Sequence, residues 1–456
     1  MNKKYNSKNS ILSKILIAIL AVLFYSVIIL SIIFYKPDGI SIEENRKLAK
    51  MPVFTIESAL NGSFGDELDT FLSDNFFNRS GLIKISSLLH SFYSLDTFFE
   101  SDTVAFLDNN FFNEANNDIS VDSTSTNDNS SLALTAPDDL LNQVIPDAQD
   151  EMKMEGSFIL YKGQAYFTGY STPEKYEKTA SVVNSYVPYK ASSSVAYLPV
   201  PTRAAFIDDE NVINAVGNQK EHLLNFLSLL DDGVKKINVL DAFENHKNEY
   251  LYYYSDHHWT ALGCYYAYVE YCKEIGLTPY PLSHFKEEVL TDKFYGTVFS
   301  YTKDARTRNL KDTAYGYYPT KKCTMTNYEL DGNVNHYDDC IVNPAIGYRA
   351  FAGGDSKLCV IEVPENDPED TLLILKDSFA NGLIPFLVEH YGKIIMFDPR
   401  YSSLSLNDYM KYVKVEPIVY KDILIATHFF ETSYTKWPDQ LKNALGNPEE
   451  LKNIVK

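Results

Sequence analysis

The feature that most constrains the fold is an alternation, from residue 155 onward, of short apolar runs with segments of helical pattern. Apolar runs of this length are typical of strands that are buried on both faces. Strands that alternate with helices predict an α/β fold with a mainly parallel sheet covered on both sides. The predicted strands are 195–200, 237–240, 372–375, 394–397 and 423–426, and the predicted helices between them include 220–230, 261–275, 381–391 and 406–413.

Near the N-terminus, residues 15–35 form an apolar run without charged side chains, long enough to span a bilayer as a helix. Lysines precede the run and acidic residues follow it, so the positive-inside rule predicts a cytoplasmic tail at 1–14 and an ectodomain outside. A cleaved signal peptide is the alternative, but the run is longer than a signal core and no A-x-A-like site follows. We therefore expect a single-pass protein of the cell membrane.

Charge is distributed unevenly along the chain. Lys plus Arg number 41 against 61 Asp plus Glu, a formal net charge of −20, which argues against nucleic acid as a partner because phosphate backbones are bound by basic patches. Residues 113–150 lack basic side chains and are rich in Ser, Thr, Asn and Asp, which predicts an acidic disordered linker. This linker separates an N-terminal extension of the ectodomain at 36–112 from an α/β domain at 151–456, and a Tyr-rich stretch at about 280–365 is predicted to be an insertion in that domain.

Five cysteines are too few for a disulfide-stapled scaffold. Cys264 and Cys272 lie in one predicted helix, roughly 12 Å apart at about 1.5 Å rise per residue, which is too far for a bridge. Pairing among Cys323, Cys340 and Cys359 leaves one cysteine over, and the alternative is that all five are free and mostly buried. The spacing matches no zinc motif.

Sites in a parallel sheet form at the carboxyl ends of the strands, which directs attention to the loops there. One such loop, 255–260, has the sequence SDHHWT. Residues two apart in an extended turn point the same way, so Asp256 and His258 are expected to share one side and His257 to face the other. A carboxylate that accepts from an imidazole supports the imidazolium formed in proton transfer. Metal binding and a structural role are the alternatives; adjacent histidines rarely chelate one ion, so we expect catalysis and no metal.

Two further loops carry chemistry. Ser378 follows the predicted strand at 372–375 and opens a helix, where it is presented outward and the helix N-terminus favours developing negative charge. Ser378 is therefore a candidate nucleophile, and a simple N-cap is the alternative. A similar GGDS block at 353–356 has no buried strand before it. Arg203, after the first strand, either contacts an anionic substrate group or is solvated.

These residues carry a resemblance to a known family. Asp256-His257-His258-Trp259 is the signature of the DHHW family of bacterial envelope proteins, which this chain resembles. More distantly, the chain is similar to the SGNH-hydrolase-like domains of alginate O-acetyltransferases, in which an Asp-x-His-Trp motif precedes a Ser that ends a strand. The resemblance covers roughly 40–100 and 155–435. Three more segments look like this group: Glu44-Asn45-Arg46, Pro201-Thr202-Arg203 and Asp398-Pro399-Arg400-Tyr401.

The resemblance implies an SGNH-like three-layer α/β/α sandwich with a Ser–His–Asp triad and no cofactor. Ser378 would be the nucleophile, His258 the general base and then acid, and Asp256 the residue that orients His258. The backbone N–H of Ser378 would be one oxyanion donor, and Asn381 is the candidate for a second.

The implied activity is O-acyl transfer, most simply of acetyl groups, to an envelope polysaccharide. A membrane-tethered ectodomain is well placed to receive acetyl from a membrane-bound O-acyltransferase, because acetyl-CoA is not available outside the cell. Two alternatives stay open. One is an envelope esterase that removes acetyl groups, and the other is a non-catalytic glycan-binding assembly protein, in which Ser378, His258 and Asp256 would lie far apart.

Overall fold

The computed structural model describes residues 40–41, 46–56, 58, 63–77, 105–107, 156–161, 164–169, 172–191, 193–210, 213, 217–298, 310, 312–330, 332–416, 419–433 and 436–446. The predicted anchor at 15–35 and the predicted linker at 113–150 lie outside these residues. Among the residues that are described, no helix combines the length and the apolar character needed to cross a membrane. Contacts divide the chain into two units, Met1–Phe99 and Glu100–Lys456.

The first unit contains a short antiparallel pair, β1 (Ile40–Ser41) and β2 (Arg46–Lys47), and the helix α1 (Ser63–Asp74). The end of α1 is held against the segment that follows β2. The N–H of Ala49 donates to the carboxylate of Asp74 at 2.8 Å, and the side chain of Asn75 donates to the carbonyl of Ala49 at 2.8 Å. These bonds satisfy polar groups at the C-terminal end of the helix.

The second unit alternates strands and helices. Its strands are β3 (Ala105–Leu107), β4 (Gly156–Tyr161), β5 (Gln164–Gly169), β6 (Ser194–Val200), β7 (Lys235–Lys236), β8 (Lys286–Phe294), β9 (Asp312–Tyr318), β10 (Thr324–Tyr328), β11 (Val334–Tyr337), β12 (Leu358–Glu362), β13 (Thr371–Lys376), β14 (Lys393–Phe397) and β15 (Asp422–His428). Its helices are α2 (Pro173–Tyr186), α3 (Gln219–Leu229), α4 (Leu240–Asn245), α5 (Ala261–Ile275), α6 (Ile384–Leu387), α7 (Leu406–Tyr412) and α8 (Trp437–Leu445).

The described strands form one large sheet and smaller ones. The large sheet has the order β11-β10-β12-β14-β13-β15-β6-β7, and it is parallel from β14 to β7. β13 lies in the middle, and every residue in it is buried, as expected of a strand covered on both faces. β3, β4 and β5 form a separate three-stranded sheet, and β8 pairs with β9.

Helices cover both faces of the large sheet. Successive side chains of β13 point to opposite faces, so Leu372 and Ile374 pack in the core that contains residues of α5, such as Tyr268. Leu373 and Leu375 pack in a second core together with residues of α2, α3 and α8 such as Tyr176, Phe226 and Trp437. The predicted α/β class, with a sheet covered on both faces, is therefore confirmed.

The prediction of a mainly parallel sheet needs correction, because the sheet is mixed. β10, β11 and β12 pair antiparallel with one another or with β14. All three lie in the stretch 280–365 that was predicted to be an insertion, so part of that stretch belongs to the main sheet. β10 and β11 are at most half-buried, and in β10 buried and less buried positions alternate. A search for continuous apolar runs misses such strands. β12 differs, because it is mostly buried and residues 358–361 are a continuous apolar run.

Individual elements agree with the prediction in most places. The strands at 195–200, 372–375, 394–397 and 423–426 are present, and the helix at 261–275 has the predicted bounds. The strand at 237–240 is wrong, because β7 ends at Lys236 and α4 starts at Leu240, whose N–H donates to Asn238 at 3.0 Å. The helix at 381–391 is also wrong in form. It is a 3-10 helix, Ser378–Leu383, followed by the single turn of α6.

Candidate active site

Ser378 lies in the turn that follows the central strand. β13 ends at Lys376, and Ser378 is the first residue of the 3-10 helix. The helix is capped by Asp377, whose carboxylate accepts from the N–H of Phe379 at 2.8 Å. Ser378 is therefore not the N-cap, and its hydroxyl is directed elsewhere. As the first N–H of the helix, the backbone N–H of Ser378 has no acceptor within the helix.

The three residues predicted as a triad meet in one hydrogen-bonded chain. The Oγ of Ser378 lies 2.7 Å from Nε2 of His258, and Nδ1 of His258 lies 2.6 Å from Oδ1 of Asp256. An ionised carboxylate is an acceptor only, so Nδ1 carries the proton and Nε2 accepts from the serine hydroxyl. This is the tautomer in which a histidine can accept a proton from a serine.

Asp256 is held as a buried carboxylate. Its Oδ1 also accepts from the N–H of His258 at 2.9 Å, and its Oδ2 accepts from the N–H of Thr297 at 2.9 Å. Burial raises the pKa of Asp256, but the neighbouring His258 and His257 and the bonds from His258 outweigh it, so the pKa lies well below its ordinary value. The carboxylate is thus kept ionised beside the imidazole.

The extended-turn argument predicted that His257 faces away from His258, and this prediction is wrong. The two rings lie with centroids 3.8 Å apart, because the loop bends back and Tyr252 pairs with Trp259 in an antiparallel bridge. Nδ1 of His257 lies 2.6 Å from Oγ1 of Thr297. Burial, and then the proximity of His258, lower the pKa of His257 to about 3, so the ring is neutral at ordinary pH.

Tyr348 joins His258 to the turn that carries Ser378, and sequence reasoning missed it. Its ring stacks on the ring of His258 at 4.1 Å between centroids. Its hydroxyl lies 2.7 Å from the carbonyl of Phe379 and 3.1 Å from that of Ser378, and it accepts from Nε1 of Trp259 at 3.1 Å. Among 34 tyrosines in the chain, nothing in the sequence singles out this one.

Asp312 fixes the loop that carries His258, and it lies in the stretch predicted to be an insertion. Its carboxylate accepts from the N–H of Tyr254 at 2.8 Å, from the N–H of Ser255 at 2.7 Å and from the hydroxyl of Ser255 at 2.5 Å. The hydroxyl of Tyr250 donates to it as well. Burial raises the pKa of Asp312. This carboxylate therefore holds the backbone just before Asp256.

Gly296 permits a close approach on the same side of the loop. A Cβ at this position would lie 2.2 Å from the Cβ of Asp256, so no other residue fits without a shift. The Gly296 N–H donates to the Ser255 hydroxyl at 2.9 Å, and the N–H of Val298 donates to the Ser255 carbonyl at 3.0 Å. Residues 296–298 thus close over the backbone of Asp256.

A second histidine supports the nucleophile turn from the neighbouring strand. His428 ends β15, and both its N–H, at 2.8 Å, and its Nδ1, at 2.6 Å, bond to Oδ2 of Asp377. Its ring stacks on Phe379 at 5.3 Å between centroids. Burial raises the pKa of Asp377, but the bonds from His428 outweigh this and lower it. The end of β15 is thereby tied to the residue before Ser378.

Asn381 belongs to a buried polar network behind the turn. Its Oδ1 accepts from Nζ of Lys376 at 2.8 Å, and its Nδ2 donates to Asp355 at 3.2 Å. Lys376 also donates to Asp355 at 3.0 Å, and Arg400 forms a two-pronged bond with Asp398 beside them. Both ends of the Asn381 amide therefore already bond to other side chains. The role of Asn381 as a second oxyanion donor stays a prediction.

Arg203 lies beside the loop rather than at Ser378. Its guanidinium sits between two rings, 4.7 Å from the ring centroid of Tyr166 and 4.6 Å from that of Tyr254. The three residues line a cavity of about 190 Å³ together with Tyr250 and Tyr252. Tyr254 is two residues before Asp256, so this cavity borders the same loop as His258.

Metal-ligating side chains cluster at Asp256, His257 and His258 and at Asp377, His428 and Glu431. In the first cluster the two ring nitrogens of His258 already bond to Asp256 and Ser378. A metal there would have to displace one of these bonds. The chemistry that the geometry offers is therefore proton transfer between Ser378 and His258, assisted by the carboxylate of Asp256.

Fold and site together define an α/β protein with a Ser–His–Asp arrangement at the carboxyl edge of its sheet. The chain belongs to the DHHW protein family, whose model matches residues 44–397. It is similar to a DHHW family protein from Eubacterium siraeum DSM 15702 of known crystal structure. The two are 27% identical over 64% of this chain and 97% of that chain, with a TM-score of 0.55. The family resemblance inferred from the sequence is thus confirmed.

Two other solved structures are similar to this chain to different degrees. PatB1 of Bacillus cereus, solved with a sulfonyl adduct, is 17% identical over 63% of this chain and 98% of that chain, with a TM-score of 0.50. The O-acetyltransferase domain of Pseudomonas putida AlgJ matches at 12% identity over 63% of this chain and 99% of that chain, with a TM-score of 0.38, too low to support an argument. No curated protein sequence matches the chain.

Proposed function

We propose that this protein is a serine-dependent O-acyltransferase, specifically an O-acetyltransferase, that modifies an envelope or extracellular polysaccharide. The observation that carries the proposal is the continuous hydrogen-bonded chain from Ser378 through His258 to Asp256, with distances of 2.7 and 2.6 Å. Separations of this size let a base accept the proton of a nucleophile during attack. The non-catalytic alternative required these residues to lie apart, so the geometry favours an enzyme.

In the first half of the reaction, the acyl group is transferred from the donor to Ser378. The Oγ of Ser378 attacks the acyl carbonyl of the donor while Nε2 of His258 takes its proton, and Asp256 stabilises the imidazolium. The negative charge that develops on the carbonyl oxygen faces the N-terminus of the 3-10 helix, where the N–H of Ser378 donates. The donor's leaving group takes the proton from His258, and an acyl ester of Ser378 remains.

In the second half of the reaction, the acyl group is transferred from Ser378 to the acceptor. A sugar hydroxyl gives its proton to Nε2 of His258 and attacks the acyl ester. The Oγ of Ser378 leaves and takes that proton from His258, so the sugar is acylated and the serine hydroxyl is restored. Water in place of the sugar gives hydrolysis by the same steps. A hydroxyl held next to the ester gains a high effective concentration, so a bound glycan competes successfully with water.

The site's location follows from the sequence. The apolar run at 15–35 tethers the domain to the outer face of the cell membrane, where a membrane-bound O-acyltransferase supplies the acetyl group and the envelope polysaccharide accepts it. This arrangement favours transfer over hydrolysis, because the acyl group reaches the enzyme from a membrane partner and the acceptor polymer is concentrated at the same surface.

The proposal is tested with the full-length chain in detergent and p-nitrophenyl acetate as donor. We expect slow ester turnover, and trapping by acid should yield an acetyl group on the peptide that contains Ser378. Ser378→Ala should abolish both signals, whereas Ser356→Ala, in the GGDS block that no buried strand precedes, is the matched control and should keep them. A sulfonyl fluoride should block turnover by reacting at Ser378.

Acetyl transfer and hydrolysis are separated by adding oligosaccharides from the envelope. Faster turnover with acetylated sugar as product supports the transferase. Rapid removal of acetyl from acetylated glycan, without any acetylated product from free glycan, would establish the esterase instead. Failure of the wild-type protein to acetylate Ser378 would contradict a serine-dependent mechanism.

A further inference from the structure

Two buried cysteines meet at the edge of the large sheet. Cys323 precedes β10 and Cys340 follows β11, and their Sγ atoms lie within 4.8 Å of each other. Cys340 is fully buried and Cys323 is 4% exposed. Both are free thiols in the structure. Neither belongs to the Ser378 site, so the pair has no part in the proposed reaction.

The backbone brings the two residues side by side. β10 and β11 are antiparallel neighbours, and Met325 lies opposite Tyr337. Continuing this register by two residues puts Cys323 opposite Asp339 and next to Cys340. A residue offset by one position from the directly opposite one has its Cα roughly 6 Å away, within the range that a disulfide requires.

We propose that Cys323 and Cys340 form a disulfide in the mature protein, which closes the β10–β11 hairpin at its open end. A thiolate of one cysteine attacks a disulfide oxidant such as glutathione disulfide, forming a mixed disulfide and releasing one thiol. The second cysteine then displaces the other glutathione thiol. One oxidant disulfide is reduced to two thiols, and one protein disulfide forms. The extracytoplasmic side of the membrane permits such bonds to persist.

The order of the two steps follows from the surroundings. The contact with the Cys323 thiol, burial, and the carboxylate of Asp339 hold the pKa of Cys340 well above its ordinary value. While Cys323 is free, Cys340 therefore stays a thiol, and exchange begins at Cys323, the less buried of the two. Once Cys323 is in the mixed disulfide, the contact that raises the pKa of Cys340 most is lost, so the Cys340 thiol can give up its proton and close the bond. A chain that lacks Cys340 should accordingly accumulate glutathione on Cys323.

The bond would anchor a segment that reaches the candidate active site. The Ala352 N–H donates to the Cys340 carbonyl at 2.9 Å, and Ile341 pairs with Phe351, so residues 340–352 form a closed loop. Tyr348, which stacks on His258, lies within it. Cross-linking the base of this loop to β10 restrains the unfolded chain and so stabilises the fold around Tyr348.

The test uses the full-length chain, purified in detergent with reductant and then incubated with glutathione disulfide. We expect a mass lower by two hydrogens, a cross-linked peptide pair that contains Cys323 and Cys340, and a Tm higher by roughly 5 °C. Cys323→Ala and Cys340→Ala should both abolish the cross-link and the rise in Tm. Cys359→Ala, on the adjacent strand β12, is the matched control and should keep both.

The outcomes discriminate between pairings. A Cys323–Cys359 cross-link, or oxidation that leaves Cys323 and Cys340 as thiols while the chain stays folded, would overturn the proposal. Peptide mapping of protein taken directly from cell envelopes and alkylated in denaturant, before any reductant is added, is a second test that does not depend on variants. Unfolding exposes every free thiol, so only a disulfide would protect both cysteines from alkylation. Free, alkylated Cys323 and Cys340 in that sample would equally refute it.

Discussion

His257 and His258 are neighbours of the same residue type, but their contacts give them different roles. His258 bonds to Ser378 through one nitrogen and to Asp256 through the other, while His257 bonds through Nδ1 to Thr297. In the proposed reaction, His258 is the base and His257 packs beneath it as a neutral ring. The pair therefore makes a matched comparison within one loop.

We expect His258→Gln to lower kcat/KM for p-nitrophenyl acetate by about 10³-fold or more, because the serine loses its proton acceptor. His257→Asn should stay within about tenfold of the wild type, since the new side chain keeps a polar group towards Thr297 and loses only ring packing. Steady-state kinetics at pH 7.5 measure both. The opposite ranking would show that His257 is the base.

The low pKa of His257 also predicts an effect on stability. Its pKa falls from an ordinary value of 6.5 to about 3 on folding, so below pH 6.5 the unfolded chain binds the proton that the folded chain excludes. The stability that this residue contributes is complete above pH 6.5 and is lost as the pH falls towards 3, by about 1.4 kcal/mol per pH unit at most.

Urea denaturation at pH 7 and pH 5 tests this expectation. The free energy of unfolding should fall between the two pH values by less in His257→Asn than in the wild type, because the variant lacks the titrating ring. An equal fall in both proteins would mean that His257 is protonated in the folded state or that other groups account for the pH dependence.

At the scale of elements, the loop 255–260 is shaped by strands that are distant in sequence. β9 begins with Asp312, whose carboxylate takes the bonds of Tyr250, Tyr254 and Ser255. The stretch predicted to be an insertion is therefore a structural support of the loop 255–260. This makes Asp312 a positioning residue for His258.

We predict that Asp312→Asn lowers kcat about ten- to hundredfold with little change in KM, because the amide replaces a charged acceptor and lets the loop shift. Asp292→Asn, at an exposed position of β8, is the matched control and should behave like the wild type. Kinetics measured well below the Tm of each protein separate this effect from unfolding. A rise in KM at constant kcat would point to substrate binding instead.

Over the whole molecule, the large sheet separates two cores and sets the positions of the site residues. β13 lies between β14 and β15. Ser378 follows the end of β13, and His428 is the last residue of β15. Because parallel strands end at the same edge, these side chains converge there. Loss of packing at β13 should thus destabilise the entire second unit.

Leu373→Ala should lower the free energy of unfolding by about 2–5 kcal/mol, because Leu373 is completely buried in the middle of β13 and the smaller side chain leaves a cavity. Val289→Ala removes two methyl groups from a residue that is 58% exposed and should cost no more than about 0.5 kcal/mol. Thermal and urea unfolding of the two variants provide the comparison. Equal losses would show that the strand is not part of the cooperative core.

Some features of this protein could be read from sequence because their cause is local. The strands at the centre of the sheet are continuous apolar runs, since both of their faces are covered. The motif at 256–259 contains its own carboxylate and imidazole, and Ser378 directly follows a buried strand. These short-range patterns were sufficient to choose Ser378, His258 and Asp256, which the structure brings together.

Other features were decided by tertiary structure alone. The half-buried strands β10 and β11 acquire their place by pairing beside β12, and no continuous apolar run in the sequence indicates them. Asp312, Tyr348 and His428 support the site because folding brings them to it from distant parts of the chain. An isolated Asp, Tyr or His carries no signal of its future neighbours. The sequence therefore indicated the candidate site residues, whereas the residues that hold them in position could not be found from it.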